Sequence, residues 1–274
     1  MVKASAEELV RRLASSENTS ALNIKRSPES AEELKETGIK YFYAGNLNAA
    51  GSYYRRAIQS KPDFAEAHNN LGTVLRKRNR PQSAIAAFQT ALLLNPQSGF
   101  AYGNLGNLYE RYGNLAQAET YYLKAVGLAP DLYQGFVGLA RIAAHRLRWD
   151  EALAALRRAS AIAPQDASIL HQTGVVYLSQ GDLPAALNSL RNADSLEPNN
   201  ATIKACLADV LFHQGKNEEA RALAEESLAL NPSEAVAKTV IEKLGGQDPI
   251  PLKTETLPPE YGQPLQPSHC DGLD

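Results

Sequence analysis

A proline recurs every 34 residues along this chain of 274 residues, at Pro62, Pro96, Pro130, Pro164, Pro198 and Pro232. The segments that end at these prolines are alike, since residues 65–96 and 99–130 carry the triplet Asn-Leu-Gly at the same place. A fixed period of this length is typical of a stacked array, in which each repeat packs mainly on its neighbours. The sequence therefore predicts a solenoid of six repeats, at about 31–64, 65–98, 99–132, 133–166, 167–200 and 201–234.

Each repeat carries two stripes of small and apolar residues, which we follow by numbering positions from the first residue of the repeat, Ala31 in the first. Positions 20 and 27 are alanine in nearly every repeat, and position 24 is an aromatic residue or leucine in five of the six. Positions 4, 7, 8 and 11 form a second stripe, with glycine or alanine at position 8. Both spacings are helical, so the sequence predicts a helix A followed by a helix B in every repeat.

Glycine and proline occupy positions at which their backbone properties matter. Glycine is unfavourable inside a helix, so we expect position 8 to mark a close approach of helix A to the alanines at positions 20 and 27 of helix B. Position 15 is glycine in four repeats and Asn79 in the second, which suits a left-handed residue just after helix A. The proline at position 32 then ends helix B. The fourth repeat has Leu147 at position 15 and Ala143 at position 11, so the pattern does not predict its turn.

The repeats resemble the tetratricopeptide repeat (TPR) family, which has a small residue at position 8, an aromatic at 11, alanine at 20, an aromatic at 24, a small residue at 27 and proline at 32. The resemblance covers residues 31–232 in unbroken register. It implies an all-α solenoid, in which antiparallel helix pairs wind into a right-handed superhelix and helices A line a concave groove that binds peptides or other proteins. We expect residues 233–245 to form a C-terminal cap helix, because they are apolar on one side and charged on the other.

Two flanking segments lie outside the repeats. Residues 1–30 begin with a capping-box pattern, which predicts a short helix from about residue 6 to residue 15, followed by a linker. Residues 246–274 hold six of the fifteen prolines and are predicted to form an extended, disordered tail. In this tail the peptides PPEY (258–261) and PLQP (264–267) resemble ligands of WW and PxxP-binding domains, although short proline patterns also arise by chance.

The remaining face of helix A, at positions 2, 5, 6, 9, 12 and 13, is not needed for packing within a repeat, and the resemblance places it in the groove. This face is rich in amides and cations in the first three repeats and more apolar in the last three. We expect a ligand to meet the polar groups first and then apolar pockets, which include Val137, Val175, Leu178 and Phe212. The predicted peptide-binding residues are Asn70, Thr73, Lys77, Phe100, Asn104, Asn107, Arg111, Arg141, His171 and Gln172.

Amides recur at position 6, as Asn70 and Asn104 in successive repeats and as Gln172 in the fifth. An amide can donate to and accept from a peptide bond at once, so these side chains are suited to hold an extended chain. The arrangement is similar to the asparagine ladder of nucleocytoplasmic protein O-linked N-acetylglucosamine transferases. The alternative is that asparagine occurs there by chance, as on any solvated helix face. The carboxylate clamp of chaperone-binding TPR domains fits less well. Lys35 and Asn70 match two of its positions, but Ile39, Phe100 and Asn104 stand where an asparagine and two basic residues are expected.

Four cations lie within five residues at the end of helix A of the second repeat, at Arg76, Lys77, Arg78 and Arg80. Cations at a helix C-terminus are stabilised by the helix dipole by about 0.3–1 kcal/mol each, and this explanation requires no partner. Because the run is denser than such capping requires, an acidic partner is the alternative.

Motifs for catalysis, metal binding and cofactor binding are absent from the sequence. The five histidines and two cysteines show no ligand spacing, and no phosphate-binding loop or nucleophile motif is present. A net charge of −2 argues against binding of nucleic acid through its phosphates, and no stretch has the features of a signal peptide or a membrane span. We therefore expect a non-enzymatic, cytoplasmic scaffold or adaptor that binds a protein or peptide without a cofactor. The alternatives are a regulatory or substrate-recruiting subunit of a glycosyltransferase-like complex, with catalysis on another chain, and a structural role in a membrane or pilus complex.

Overall fold

The computed structural model of the protein describes residues 29–245, and within this range the chain forms helices joined by short turns. The all-α fold predicted from the period is confirmed. The helices of the described range are α1 (Ala31–Tyr43), α2 (Leu47–Ser60), α3 (Ala65–Lys77), α4 (Pro81–Leu94), α5 (Gly99–Arg111), α6 (Leu115–Leu128), α7 (Tyr133–His145), α8 (Trp149–Ile162), α9 (Ala167–Gln180), α10 (Leu183–Leu196), α11 (Ala201–His213), α12 (Asn217–Leu230) and α13 (Ala235–Gly245). The predictions of an N-terminal helix, a linker and a proline-rich tail lie outside the described residues.

Contacts divide the chain after Leu108 into two compact units, which we call the N-terminal and C-terminal units. In the N-terminal unit α1 pairs with α2 and α3 pairs with α4, and α5 belongs to this unit as far as Leu108. In the C-terminal unit α7 pairs with α8, α9 with α10 and α11 with α12, and α13 packs against both α11 and α12. In each pair the first helix is helix A and the second is helix B.

The predicted stripes form the buried core of these pairs. In the N-terminal unit Ala50 and Tyr54 of α2 are buried with Val74 of α3. In the C-terminal unit Leu190 of α10 is buried with Ile203 of α11. Helix α13 buries one apolar side against the last pair, through Val236, Ala237 and Val240.

All six turns between helices A and B contain a residue in the left-handed region at position 15. Four are glycines with φ between 74° and 87°, and Asn79 has φ 55°. Leu147 has φ 58°, so the fourth repeat keeps the same turn although it lacks the glycine. In this turn the Arg148 N–H donates to the Ala143 carbonyl at 2.9 Å. In the first repeat the equivalent Asn46 N–H donates to the Tyr41 carbonyl at the same distance, 2.9 Å. The backbone hydrogen bonds of the turn are therefore formed whichever residue stands at position 15.

The glycine at position 8 faces the side chain at position 24 of the same repeat. A Cβ atom built at Gly72 would lie 2.6 Å from Cε1 of Phe88, and one built at Gly174 would lie 2.5 Å from Cγ of Leu190. The expectation that position 8 faces the alanines at 20 and 27 is therefore corrected: the nearest neighbour is the side chain at position 24, although at Gly174 the carbonyl oxygen of Ala186 at position 20 also lies 3.3 Å from the built Cβ. The absent side chain makes room for the large residue at position 24, and the alanines let the rest of helix B come close.

Helix B begins with two different kinds of residue at position 16. In three repeats the Oδ1 atom of an amide or carboxylate there accepts a hydrogen bond at 3.0–3.2 Å from a backbone N–H of the first turn, and these acceptors are Asn46, Asn114 and Asp182. In the other three repeats a cation stands there and gives no side-chain cap, at Arg80, Arg148 and Lys216. Half of the B helices thus begin without the hydrogen bond that normally satisfies a free backbone N–H.

Candidate peptide-binding surface

Side chains of successive helices A contact one another at fixed offsets in the sequence. In the N-terminal unit the amide of Asn104 donates to the Oδ1 atom of Asn69 at 2.9 Å. The guanidinium of Arg76 donates to the Oδ1 atom of Asn107 at 3.3 Å. These contacts join positions 5 and 6 or positions 12 and 9 of neighbouring repeats. Part of the face that we predict to line the groove therefore also holds helices A together.

The amide groups of the N-terminal unit retain hydrogen-bonding capacity. Asn69, Asn70 and Asn104 are all half-buried, and the contact between Asn69 and Asn104 uses one donor of one amide and one lone pair of the other. Within residues 29–245 no hydrogen bond involves the Asn70 side chain. Thr73 is less available, because its hydroxyl donates to the carbonyl of Asn69 at 3.2 Å. Asn70 and Asn104 are thus the predicted residues best placed to pair with a ligand backbone.

Exposed aromatic rings lie on the same helices A. The Phe100 side chain is 62% exposed and that of Tyr43 is 82% exposed. The ammonium of Lys77 lies 5.4 Å from the ring centroid of Phe42, which meets Tyr43 edge to face. Large exposed rings are suited to cover apolar parts of a ligand, and rings of this kind are frequent anchors at protein interfaces.

In the C-terminal unit the predicted residue Arg141 is engaged within the fold. Its Nε and Nη2 atoms each donate to a carboxylate oxygen of Glu110 at 2.6 Å, and the Tyr122 hydroxyl donates to the same carboxylate at 2.7 Å. Burial lowers the pKa of the Arg141 guanidinium, but the hydrogen bonds and charge of Glu110 outweigh burial and raise it. Arg141 is therefore cationic and tied to Glu110, whereas the neighbouring predicted residue Arg111 is exposed.

The predicted residues His171 and Gln172 lie on α9 and differ in their surroundings. The Nε2 atom of His171 is 3.3 Å from Sγ of the buried Cys206. These two residues are 35 apart in the sequence, as are Asn69 and Asn104. Burial lowers the pKa of His171 to about 4, against a smaller opposing effect of the charge on Glu197. The imidazole is therefore neutral at pH 7. Gln172 lines a small depression between α7 and α9, together with Ala140, Arg141, Ala144, His145, Leu156, Val175 and Val176.

The apolar half of the predicted groove is not open in the structure. Val137 is 7% exposed, Val175 5%, and Leu178 and Phe212 at most 1%. These side chains belong to the hydrophobic clusters that join one helix pair to the next, or to α13 in the case of Phe212. The expectation of apolar pockets for a ligand is therefore wrong for Val137, Leu178 and Phe212, which are used in packing between helices, whereas Val175 also lines the small depression beside Gln172.

Two partners of the predicted residues were missed by sequence analysis, Glu110 beside Arg141 and Cys206 beside His171. The sequence spacing indicates such contacts, since Glu110 and Arg141 are 31 residues apart, as are Arg76 and Asn107. A search for complementary side chains at offsets of 31 and 35 finds each of these pairs.

Neither a metal-ligand cluster nor a membrane-spanning helix is present in the part of the chain that the structure describes. Residues 29–245 contain no group of three or more His, Cys, Asp or Glu side chains arranged to hold a metal ion. Among the helices of that same range, none is both long and apolar enough to span a membrane.

Comparisons with known proteins bear on the whole repeat array. A family model described as the cilia and flagella-associated protein 70 C-terminal domain, of TPR type, matches residues 4–242. The chain is 26% identical over 109 residues to protein FlbA of Caulobacter vibrioides, covering 40% of this chain and 18% of that protein. It is 27% identical over 143 residues to human protein O-mannosyl-transferase TMTC3, covering 49% of this chain and 16% of that protein. The chain thus spans less than a fifth of the length of either relative.

A solved structure shares the fold over most of the chain. It is that of the APC/C hetero-tetramer Cut9–Hcn1, with a TM-score of 0.77 and 22% sequence identity, covering 88% of this chain and 46% of that one. The likeness agrees with the paired helices of both units and confirms a TPR solenoid as the fold class.

Proposed function

The chain belongs to the family of the cilia and flagella-associated protein 70 C-terminal domain, and on that premise we propose that it is a protein-interaction module that binds an extended peptide along helices A of the N-terminal unit. The module itself is non-catalytic in this proposal, and its ligand is a segment of another protein. The structure of Cut9–Hcn1, to which the chain is similar, is described as a hetero-tetramer, which agrees with a role in assembly.

The main observation behind the proposal is that the amides at position 6 have unused hydrogen-bonding groups. Asn70 is half-buried and its side chain makes no hydrogen bond within residues 29–245, and the Asn104 amide donates to Asn69 with a donor and an acceptor left over. An unpaired amide on a partly buried face is costly unless water or a ligand pairs with it. A peptide backbone offers a donor and an acceptor at each residue, so it matches two successive amides.

The second support is the exposed ring of Phe100, which lies on α5 four residues before Asn104. Residues four apart in a helix lie on the same face, one turn apart. A ligand whose backbone is held by Asn104 would therefore place one of its side chains near this ring. We expect an apolar or aromatic ligand side chain there, because burial of the ring then contributes to affinity.

The test uses the double variant Asn70→Ala with Asn104→Ala, and Asn48→Ala as matched control. Asn48 is an exposed asparagine on helix B of the first repeat, away from the helix A face. Each protein is used as bait, and captured proteins are compared quantitatively by mass spectrometry. We expect a set of partners that the parent and the control retain and that the double variant loses.

Titration calorimetry with a retained partner then measures the effect. Each ligand group left unpaired costs about 1–3 kcal/mol, so the double variant should bind at least about tenfold more weakly. The parent and the double variant should have similar melting curves apart from the lost contact between Asn69 and Asn104. If the double variant binds every partner as tightly as the control does, the amides are not the ligand site and this proposal fails.

A second candidate function is suggested by the relative TMTC3, whose name describes a protein O-mannosyl-transferase. In this reading the module recruits a substrate protein to an enzyme, and the reaction takes place on another chain or elsewhere in a longer polypeptide. The same capture experiment separates the two readings. If a glycosyltransferase is captured equally by the control and by the double variant, it does not bind through the amides, and this result would favour recruitment by a different surface.

A further inference from the structure

The turn between α3 and α4 carries a group of cations, Lys77, Arg78 and Arg80, which we call the basic turn. All three residues are exposed. Within the described range none of them takes part in an ion pair, and the one charged contact is that of Lys77 with the Phe42 ring. Like charges placed so close together repel one another, and a density of this kind attracts anions.

Elsewhere in the described range, several cations near helix ends are paired with carboxylates, although Lys216, at the same position as Arg80, is not. Arg146 pairs with Glu119 at 2.8 Å, Arg148 with Glu151 at 3.4 Å and Lys204 with Glu226 at 2.9 Å, which are all contacts of the C-terminal unit. In the second repeat, residues 65–98, the sequence has one carboxylate, Glu66, and this is already bonded to Lys35 at 2.8 Å. Within residues 29–245 the basic turn therefore has no carboxylate paired with it.

Arg80 stands where stability favours a different residue. It is the N-cap of α4, a position at which Asn46, Asn114 and Asp182 cap their helices in other repeats. A cation there gives no cap and meets the positive end of the helix dipole. The first turn of α4 also lacks an acidic residue that would offset the charge, whereas α8 has Asp150 and Glu151 after Arg148. A residue that breaks a local stability rule without compensation in the fold indicates a functional role.

We propose that the basic turn is a docking surface for an acidic peptide segment of a partner protein, whose carboxylates are bound by Arg78, Arg80 and Lys77. Guanidinium groups match carboxylates in planar geometry and bind them through two parallel hydrogen bonds. Three cations in one turn suit a short run of Asp or Glu, while a nucleic-acid backbone needs a longer basic stripe. This surface lies at the end of helix A and does not depend on the amide site.

The experiment measures fluorescence anisotropy of a labelled peptide of six Glu-Ser repeats with the full chain. A peptide of six Gln-Ser repeats serves as the uncharged probe. We expect the Glu peptide to bind more tightly than the Gln peptide, and to lose affinity as salt is raised. The double variant Arg78→Gln with Arg80→Asn should weaken binding of the Glu peptide about fivefold or more. The matched control Arg148→Asn removes the cation at the same position of the fourth repeat and should change affinity by less than about twofold.

Three results would overturn the proposal. One is equal binding of the Glu and Gln peptides, and another is an equal loss of affinity in the double variant and the control. The third is tighter binding of a labelled 12-nucleotide oligo-dT through the same residues, which would make the surface a nucleic-acid site. The single variant Arg80→Asn adds an independent readout, because it should melt at or above the parent temperature while weakening peptide binding. A lower melting temperature would show that Arg80 serves the fold.

Discussion

Neighbouring helices A meet through amides and cations in the N-terminal unit, and mainly through buried aliphatic side chains in the C-terminal unit. Position 12 is Arg76 in the second repeat, where it donates to Asn107, and Leu178 in the fifth, where it is fully buried. Position 9 is Thr73 in the second repeat, half-buried, and Val175 in the fifth, buried. Positions 9 and 12 are thus polar in the second repeat and part of the core in the fifth, while in the C-terminal unit Glu110 and Arg141 keep a polar contact at the same two positions.

The difference supports the proposed position of the ligand site on the N-terminal unit. Polar contacts between helices A leave donors and acceptors over, because each amide has more hydrogen-bonding capacity than one neighbour uses. Aliphatic contacts offer no hydrogen-bond donors or acceptors to a ligand, and they exclude water. We therefore expect a ligand to pair with the face of the N-terminal unit without opening it, whereas in the fifth and sixth repeats it would have to compete with the packing of the helices.

The difference between the two units is expected to have its largest effect on stability at position 12. We expect Leu178→Ala to lower the free energy of unfolding by about 2–5 kcal/mol, because it leaves a cavity among buried side chains that include Leu190, Ile203 and Val210. The matched change Arg76→Ala should lower it by about 1 kcal/mol, the usual contribution of one hydrogen bond. Urea unfolding followed by circular dichroism measures both. Equal losses would show that the two faces contribute alike to stability.

Much of the fold could be predicted from the sequence, because the repeat fixes each helix by several independent residues. The proline at position 32 and the alanine at position 20 are present in all six repeats, the alanine at position 27 is replaced only by Ser227, and position 15 is glycine or asparagine in five of the six. The exception, Leu147, shows the limit of the pattern: its turn is formed by backbone hydrogen bonds and by the helices on either side, so the residue at position 15 tolerates the strain. The partner of the position-8 glycine was not predictable, because a column of residues does not show which column it faces.

The candidate site was less predictable, because it depends on how one helix A stacks on the next. The amides Asn70 and Asn104 were identified from their shared position alone. That Asn104 bonds to Asn69 and that Arg141 bonds to Glu110 follows from the offsets of 35 and 31 residues, which are set by the stacking of the helices. For the same reason Val175 and Leu178 could be placed on the predicted face, while their burial by the next repeat could not be foreseen.

The second test concerns pH and the contact between His171 and Cys206. The pKa of His171 is about 4 in the folded chain and about 6.5 when it is unperturbed, so between these values the unfolded state binds more protons. Its contribution to stability is fully present above pH 6.5 and is lost as the pH falls towards 4. We expect the free energy of unfolding to fall by about 2–3 kcal/mol more in the parent than in His171→Gln between pH 7 and pH 4.5. Urea unfolding at both pH values gives the difference, and identical falls would show that the imidazole is solvated in the folded chain.

The smallest expected effect compares position 15 in the two units, where Asn79 has φ 55° and Leu147 has φ 58°. A left-handed conformation costs an ordinary L residue about 1–2 kcal/mol, but asparagine adopts it readily, and glycine loses about 0.5–1 kcal/mol more backbone entropy on folding. Leu147 is 41% exposed, so its removal sacrifices little packing. Leu147→Gly should therefore raise the free energy of unfolding by about 0.5–1 kcal/mol, whereas Asn79→Gly should change it by less than about 0.5 kcal/mol in either direction. Thermal unfolding resolves such a difference, and a loss of stability in Leu147→Gly would mean that the leucine side chain packs well enough to offset the strain of its turn.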